Sequence, residues 1–437
     1  MQVITKFEHC YIAESDFLCK EDYQKAERKL KEINDKRNTN FLFTSQGIKL
    51  NQYVGLIGFD KDKYIEILPK IYDDGSCGKN LPDSAIREGR KILTKLLMVY
   101  LGIDPKDVDL VNLNYGEYPI LDIFIDIFTR EVSKIVKQGL KKKYVRVRKN
   151  SKYLKGRLLV LENIRRNRFN QAKFFVDYEE LSTDIAENRI LKTTLSYLRK
   201  HAKQPVLRKK ITNLLFDFDE VSFSSNVAKD LQNIHVDRTF LHYDYALRLA
   251  KIFLSGYSFS SVIQESDKKE EMISLLFDMN ELFEKYVAFV LKTKYNLPIE
   301  TQETQKSNLY LAYDYNSKSR IFKLKPDMYL ETNNKICILD TKWKKISNER
   351  GNDNYGISPQ DMYQVLAYAV RYRKVKNKPV EVYLIYPKYE KFSHPLMFSI
   401  ETPRENEKVF ITAIPFDLEE DSLINVEDRE FSRMLRS

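Results

Sequence analysis

The stretch from Leu324 to Lys345 constrains this 437-residue chain more than any other. It reads LKPDMYLETNNKICILDTKWKK. Apolar and aromatic residues from Phe322 to Leu330 predict one strand. Ile336, Ile338 and Leu339 centre a second, from Lys335 to Trp343, and Glu331–Asn334 is a polar connection of hairpin length. Side chains alternate across a strand, so Asp340 and Lys342 share a face, and the hairpin brings Asp327 beside them. Two carboxylates and an ammonium then meet at the end of an apolar β unit. That set suits hydrolysis of a phosphodiester. The carboxylates bind one or two hard divalent cations such as Mg²⁺, which lower the pKa of a bound water and stabilise charge on the phosphate. Lys342 orients that water or offsets negative charge in the transition state. The carbonyl of Thr341 is a candidate third oxygen ligand. The competing reading is a solvated strand face, where Asp and Lys two apart are common.

The flanks favour the first reading. Glu271 to Tyr295 has helical periodicity, with Ile273, Leu276, Phe277, Leu282, Phe283, Val287, Val290 and Leu291 as the apolar stripe. Glu284 lies on or beside that stripe and needs a partner there: a metal-bound water, Lys342, or simply Lys285 or Lys292. Ser358-Pro359 predicts a capped helix start, and the helix runs to about Arg373. Gln364 and Tyr368 stand one turn apart on it, so both reach toward a phosphate or the metal site. Val380 to Tyr386 is a further strand. Trp343 reads as packing, and residues 347–357 as a polar loop over the proposed site.

Glu284, Pro326-Asp327, Asp340-Thr341-Lys342 and Gln364-Val-Leu-Ala-Tyr368 together resemble the core of the PD-(D/E)xK nucleases, and the Gln-x-x-x-Tyr element resembles their RecB-type branch. The segments ICILDTKWKK and DMYQVLAYA are similar to the McrC family, as are YLKGRLLVLENIRRN, LSTDIAENRILKTTLSYL and YVGLIGFDKDKYIEILPKI. The likeness covers roughly Leu50 to Pro387. It implies an α/β architecture: a C-terminal restriction-endonuclease-like domain with a mixed central sheet flanked by helices. A β-rich N-terminal module and a largely helical middle region with a basic hairpin would precede it. It further implies a Mg²⁺-dependent DNA endonuclease subunit of a modification-dependent restriction system that defends against phage. Such a subunit binds and stimulates an McrB-like AAA+ partner ring, which itself holds the GTP. Asp327, Asp340, Thr341 and Glu284 would be the metal set, with Lys342, Gln364 and Tyr368 completing the catalytic one. Two alternatives stay open: a sequence-specific restriction subunit on the same core, and a regulatory subunit whose main work is activating the partner NTPase.

The rest of the chain fits that frame. We place boundaries at 1–80, 81–265 and 266–437. A net charge of +11 and a pI near 9.1 point to a polyanion nearby, either nucleic acid or an acidic partner. No apolar run approaches the ~18 residues of a membrane span, and residues 1–10 lack the pattern of a signal peptide, so a cytoplasmic location with no membrane contact is expected. Four cysteines without metal spacing suit a reducing compartment. No phosphate-binding P-loop is found.

Short strands are expected at 41–43, 48–50, 54–59 and 64–68, a linker at 72–82, and helices over 86–101 and 120–140. From Lys134 to Arg168 there are 14 Lys or Arg residues and a single acid, Glu162. Within this stretch Tyr144–Arg148 and Gly156–Leu161 look like strands. A basic finger over about 134–180, with Lys141, Lys142, Lys143, Arg146 and Arg148, suits a DNA backbone or an acidic channel in a partner. The resemblance makes it the part that engages the partner ring, with Arg157, Arg165 and Arg166 as candidates for stimulation. A helix over 181–200, capped by Ser182-Thr183-Asp184, carries Glu187, Asn188 and Arg189 as a structural network at the finger's base. Helices are expected over 206–215 and 243–255, and 258–269 is a polar join. His235 and His242 lack a third ligand and read as non-metal residues. Strands at 396–400 and 409–414 and an acidic tail over 418–430 finish a sheet or form a dimer edge. Cutting both strands of a duplex needs two sites, so double-stranded DNA held by a homodimer is the expected substrate arrangement.

Overall fold

A computed structural model describes the chain except for residues 1, 38, 61–62, 73–81, 108–112, 170–171, 235–241, 262–272, 305–308, 352, 402–407 and 425–437, and except for the side chains of 37, 72 and 255–261. The linker at 73–81, His235 and most of the 258–269 join lie outside the described residues.

The chain begins with β1 (Gln2–Phe7), β2 (Tyr11–Ile12), α1 (Lys20–Arg37), β3 (Leu42–Thr44) and β4 (Gly47–Lys49). Then come β5 (Tyr53–Asp60), β6 (Lys63–Leu68), α2 (Asp83–Tyr100) and α3 (Ile120–Gln138). The basic region holds β7 (Lys143–Ser151), β8 (Arg157–Leu158), α4 (Val160–Asn167) and β9 (Phe174–Ser182). Helices α5 (Ala186–His201), α6 (Pro205–Asp217), α7 (Val227–Asn233) and α8 (Asp244–Ser261) follow. The last part comprises β10 (Ser274–Asp278), α9 (Met279–Thr293), β11 (Glu300–Thr301), β12 (Tyr310–Asp314), β13 (Ser319–Lys323), β14 (Met328–Glu331) and β15 (Ile336–Thr341). It ends with α10 (Pro359–Lys376), β16 (Val380–Pro387), β17 (Leu396–Glu401), β18 (Lys408–Asp417) and β19 (Ser422–Leu423). Among the described residues no helix is long and apolar enough to cross a membrane.

Several expected elements differ. The strand expected over Phe322–Leu330 is two strands, because Pro326 has no N–H for the ladder. Among the described residues β13 pairs with β12 alone, while β14 pairs with β11 and β15. The helix expected from Glu271 starts at Met279. Asp278 caps it through a hydrogen bond from the Asn280 N–H at 2.8 Å, and the apolar run before it is strand β10. Gly156–Leu161 is strand only at Arg157–Leu158, and α4 begins at Val160. Ser182 ends β9 rather than capping a helix; Asp184 pairs with Arg189 at 2.7 Å, and α5 starts at Ala186. Helix α1 was not expected in the β-rich beginning, although Ala26, Leu30 and Ile33 form its buried stripe at helical spacing.

The chain divides into two compact units. One comprises 1–2, 58–64 and 108–275; the other comprises 3–57, 65–107 and 276–437. The first holds the helices α3 and α5–α8 and a three-stranded sheet in the order β7-β9-β8. Its finger is anchored by a buried network. Asn188 donates to the carbonyls of Lys141 and Thr183 at 3.0 and 2.8 Å, and the Tyr243 hydroxyl donates to Asn188 at 3.0 Å. This is the structural role expected for the Asn-Arg-Ile element.

The second unit is built on a sheet in the order β11-β14-β15-β16-β18-β17, with β19 beside β18. The β14–β15 and β17–β18 pairs are antiparallel; β15–β16 and β16–β18 are parallel. Ile336, Ile338, Val382, Leu384 and Ile411 pack with Val365, Ala369 and Tyr372 of α10. On the other side, Trp343 and Phe416 meet Phe283 of α9 at ring-centroid distances of 5.2 and 6.0 Å. Burying each such side chain contributes roughly 1.5–3 kcal/mol, so both helices are held firmly against β15. Cys337 lies in this core, where burial pushes its thiol up to about 12.

Candidate active site

Strand β15 spends its apolar residues first and its charges last. Ile336 and Ile338 face α10, and by the period of two Asp340 and then Lys342 continue that face toward the strand's end. Helix α10 answers with Gln364 and Tyr368. The Lys342 ammonium contacts Asp340 Oδ2 and donates to Gln364 Oε1 at 3.2 Å. The Gln364 amide donates to the Tyr368 hydroxyl at 2.8 Å, which donates to the Lys325 carbonyl at 3.1 Å. Asp327 arrives from the start of β14. Its Oδ2 accepts from both the N–H and the hydroxyl of Thr341, each at 2.7 Å, and its Oδ1 from Gln302 at 2.9 Å.

Asp340 is fully buried, and among the described residues its Oδ1 has no hydrogen-bond donor. Burial, with Asp327 nearby, pushes its carboxyl well above the carboxylate range, although Lys342 opposes the shift. Glu284 of α9 is pushed up in the same direction by burial and by the charges of Asp327 and Asp340. Burial works against charge on Lys342, yet Asp340, Asp327 and Asp361 hold its ammonium above the usual value. Burial pushes the Tyr368 hydroxyl up to about 12. All the residues chosen around β15 therefore meet in one place, with Glu284 close enough to feel both aspartates.

The donor set is one of hard oxygens, and a buried carboxylate oxygen without a donor fits a hard divalent cation. Among the described residues no three His, Cys, Asp or Glu side chains are arranged to hold a metal by themselves. Mg²⁺ is ordinarily held by one or two carboxylates together with waters and substrate phosphate, so two aspartates suffice for it.

Sequence reasoning missed several supporting residues. Gln302 fixes Asp327 from a segment with no motif. Asp361, buried in the first turn of α10, binds Lys344 at 2.8 and 2.9 Å. Strand period could not place it, because β15 ends at Thr341 and the Lys344 N–H turns back onto the Lys342 carbonyl at 2.9 Å. Glu8, buried far away in sequence, accepts from the Trp343 indole and from the Lys70 N–H at 3.0 Å, and burial raises its carboxyl. Trp343 is thus packing, as expected, but it also has a polar partner.

The basic finger is less bare than its sequence. Arg146 holds Asp177 with two bonds of 2.7 and 2.6 Å, and Arg148 adds a third at 3.1 Å. These arginines keep Asp177 down at about 2. Lys143 pairs with Glu187 at 2.6 Å, and Arg166 pairs with Glu162 and lies over the Phe175 ring. Lys141 contributes its backbone to the network at the base. Among the described residues no ion pair engages Lys142, Arg157 or Arg165. What the finger exposes in addition is apolar: Tyr153, Leu154, Leu161, Ile164 and Phe169, the last at 96%.

Comparison with known proteins places this geometry in a family. The model of the McrBC 5-methylcytosine restriction system component matches residues 48–387. The chain is 22% identical over 283 residues to the type IV methyl-directed restriction enzyme EcoKMcrBC of Escherichia coli K12, covering 61% of this chain and 77% of that protein. It resembles a chain of the Thermococcus gammatolerans assembly of McrB AAA+ hexamers with bound McrC, with a TM-score of 0.71, 22% identity and 99% of both chains covered. A second structure, the cryo-EM McrBC complex of the same organism, matches with a TM-score of 0.51, 22% identity, and 67% and 88% of the two chains covered. A multi-sheet α/β fold of this kind is therefore shared with those structures, and the chain belongs to the family of McrBC 5-methylcytosine restriction system components.

Proposed function

We propose that this chain is the DNA-cutting subunit of its restriction system, with a PD-(D/E)xK site at the end of β15. One observation carries the reading: Asp327, Asp340 and Lys342 converge at neighbouring strand ends, and Asp340 keeps a buried oxygen without a donor among the described residues. A buried carboxylate left partly unsatisfied costs stability, and such costs concentrate where chemistry is done. Asp327 and Asp340 would hold Mg²⁺, with Glu284 beside them and the Thr341 carbonyl as a further oxygen. Bound there, the cation would polarise the phosphate and acidify water.

The chain's own groups do the rest. Thr341 fixes the Asp327 carboxylate through two hydrogen bonds. Gln364, steadied by Tyr368, fixes Lys342. The Lys342 ammonium then orients the attacking water or meets the charge that grows on the phosphate.

The finger, with its exposed apolar tip and the cations Arg157 and Arg165, would seat in an AAA+ ring that hydrolyses GTP, and would stimulate it. In support, the similar Thermococcus structure is described as McrB AAA+ hexamers with bound McrC. Selection of modified DNA would then lie in the partner, and two copies of this chain would supply the two cuts.

The test is Asp340→Ala in the full chain assembled with its partner. Mg²⁺-dependent cleavage should disappear, while circular dichroism and stimulation of the partner's GTP turnover stay at parental levels. Undiminished cutting by the variant would rule the site out. Equal cutting of methylated and unmethylated duplexes would favour the sequence-specific alternative.

A further inference from the structure

Among the described residues, strands β12 and β13 form a ribbon that belongs to no larger sheet. An isolated two-stranded ribbon is marginal in water and needs a reason to persist. This one buries almost nothing. Leu311 is 53% exposed, Tyr313 49%, Tyr315 86% and Phe322 68%. Tyr313 stands directly opposite Arg320, and the rings of Tyr313 and Tyr315 meet edge-on at 5.2 Å. Phe322 adopts a φ of +58°, rare for a bulky residue. The charge is one-sided. Lys318, Arg320, Lys323 and Lys325 are exposed and, among the described residues, make no ion pair. The one acid, Asp314, is turned inward onto the loop, accepting from the Asn316 N–H and the Ser317 hydroxyl.

The ribbon's root is fixed to the candidate active site. The Leu324 N–H donates to the Leu309 carbonyl at 2.9 Å and closes the ribbon. The next carbonyl, that of Lys325, is the acceptor of the Tyr368 hydroxyl, and Asp327 follows two residues on. A ribbon of this width fits the major groove of a duplex, with cations on phosphates and aromatic rings against base edges or sugars.

We propose that the ribbon Tyr310–Lys323 is the arm that holds the DNA duplex against the cutting site. Lys318, Arg320 and Lys323 would take backbone phosphates, and Tyr313 and Phe322 would enter the groove. The inference rests on the nuclease reading above. Charge complementarity and the direct link to Asp327 and Tyr368 favour duplex DNA over a protein occupant.

The test uses the full chain assembled with its partner and carrying Asp340→Asn, so that duplex binding is read without turnover. Adding Lys318→Ala, Arg320→Ala and Lys323→Ala should weaken binding about tenfold or more near 0.1 M salt. The slope of log K against log salt should fall by roughly three, about one for each lost phosphate contact. Tyr313→Ala should weaken binding with the slope kept. With Asp340 intact, the same ribbon variants should raise KM for DNA and leave kcat within about twofold. Parental affinity and slope in the triple variant overturn the inference, as does a loss that appears only as failed self-association or failed association with the partner. A complex that does not bind duplex at all also overturns it. A complex that binds duplex through the ribbon but never cuts sinks the nuclease reading and leaves the arm intact.

Discussion

The end of β15 and the basic finger handle charge in opposite ways. At β15, four carboxylates (Asp327, Asp340, Glu284 and Asp361) crowd a buried region that Lys342 and Lys344 neutralise only in part. In the finger, a run of cations that looked one-sided is matched in part, because β9 sets Asp177 and Glu179 opposite Arg148 and Arg146, and Asp177 binds both arginines. The difference teaches where to look for chemistry. Charge in excess of its partners marks a site when it is buried, whereas exposed charge in excess along a sequence is often answered by the neighbouring strand. The finger's distinctive surface is therefore its apolar tip, not its arginine count.

The comparison breaks most sharply at Asp340. Asp340→Asn should lower cleavage by about a thousandfold or more, as loss of a central catalytic group does, and should also raise thermal stability at pH 8. The sign follows from the raised carboxyl. The folded state holds the Asp340 proton that the unfolded state releases near pH 4, so the stability it supplies is present in acid and is lost as pH rises toward neutrality. Melting curves of parent and variant between pH 5 and 8 should diverge as pH rises, and a fixed gap would refute this account. Added Mg²⁺ at pH 8 should raise the parent's melting temperature more than the variant's, because only the parent keeps both carboxylates.

The finger should behave inversely. Leu161→Glu with Ile164→Glu should reduce stimulation of the partner's GTP turnover by an order of magnitude or more, as loss of central interface anchors does, while leaving the melting temperature unchanged, since both side chains are exposed. A fall in melting temperature would mean that the tip packs on this chain itself. A smaller effect is expected from Trp343→Phe. It removes the indole donor from buried Glu8 and should cost about 1–3 kcal/mol in denaturant unfolding. The smallest is Arg157→Ala. With no ion pair among the described residues, its loss should leave unfolding unchanged and alter only partner stimulation.

Much of the site was legible because its geometry is local. Asp340 and Lys342 share a face by strand period, and Gln364 and Tyr368 share one by helical period, so four residues could be placed from spacing alone. Asp327 needed the hairpin, which survived even though Pro326 split its first strand. Gln302 and Glu8 could not be read, since each reaches the site from a segment whose sequence carries no periodic signal. The helix expected over 271–295 failed at its start because a short apolar run fits a buried strand as well as a helix, and only the Asp278 cap decides between them. Helix α1 was overlooked because its stripe is only three small or aliphatic residues in a highly charged segment.

The chain passes between its two units at 2–3, 57–58, 64–65, 107–108 and 275–276. During synthesis, everything from 108 to 275 leaves the ribosome while residues 3–57 and 65–107 still lack the C-terminal half they pack with. Pulse proteolysis of stalled nascent chains should find 108–275 protected first, and the beginning of the chain only after residues near 420 have emerged. Early protection of residues 3–107 would show that this portion closes without its C-terminal half. The same interleaving means that a stop codon just after 275 leaves residues 3–57 and 65–107 as half a body, so truncation there removes part of a unit and not a whole one.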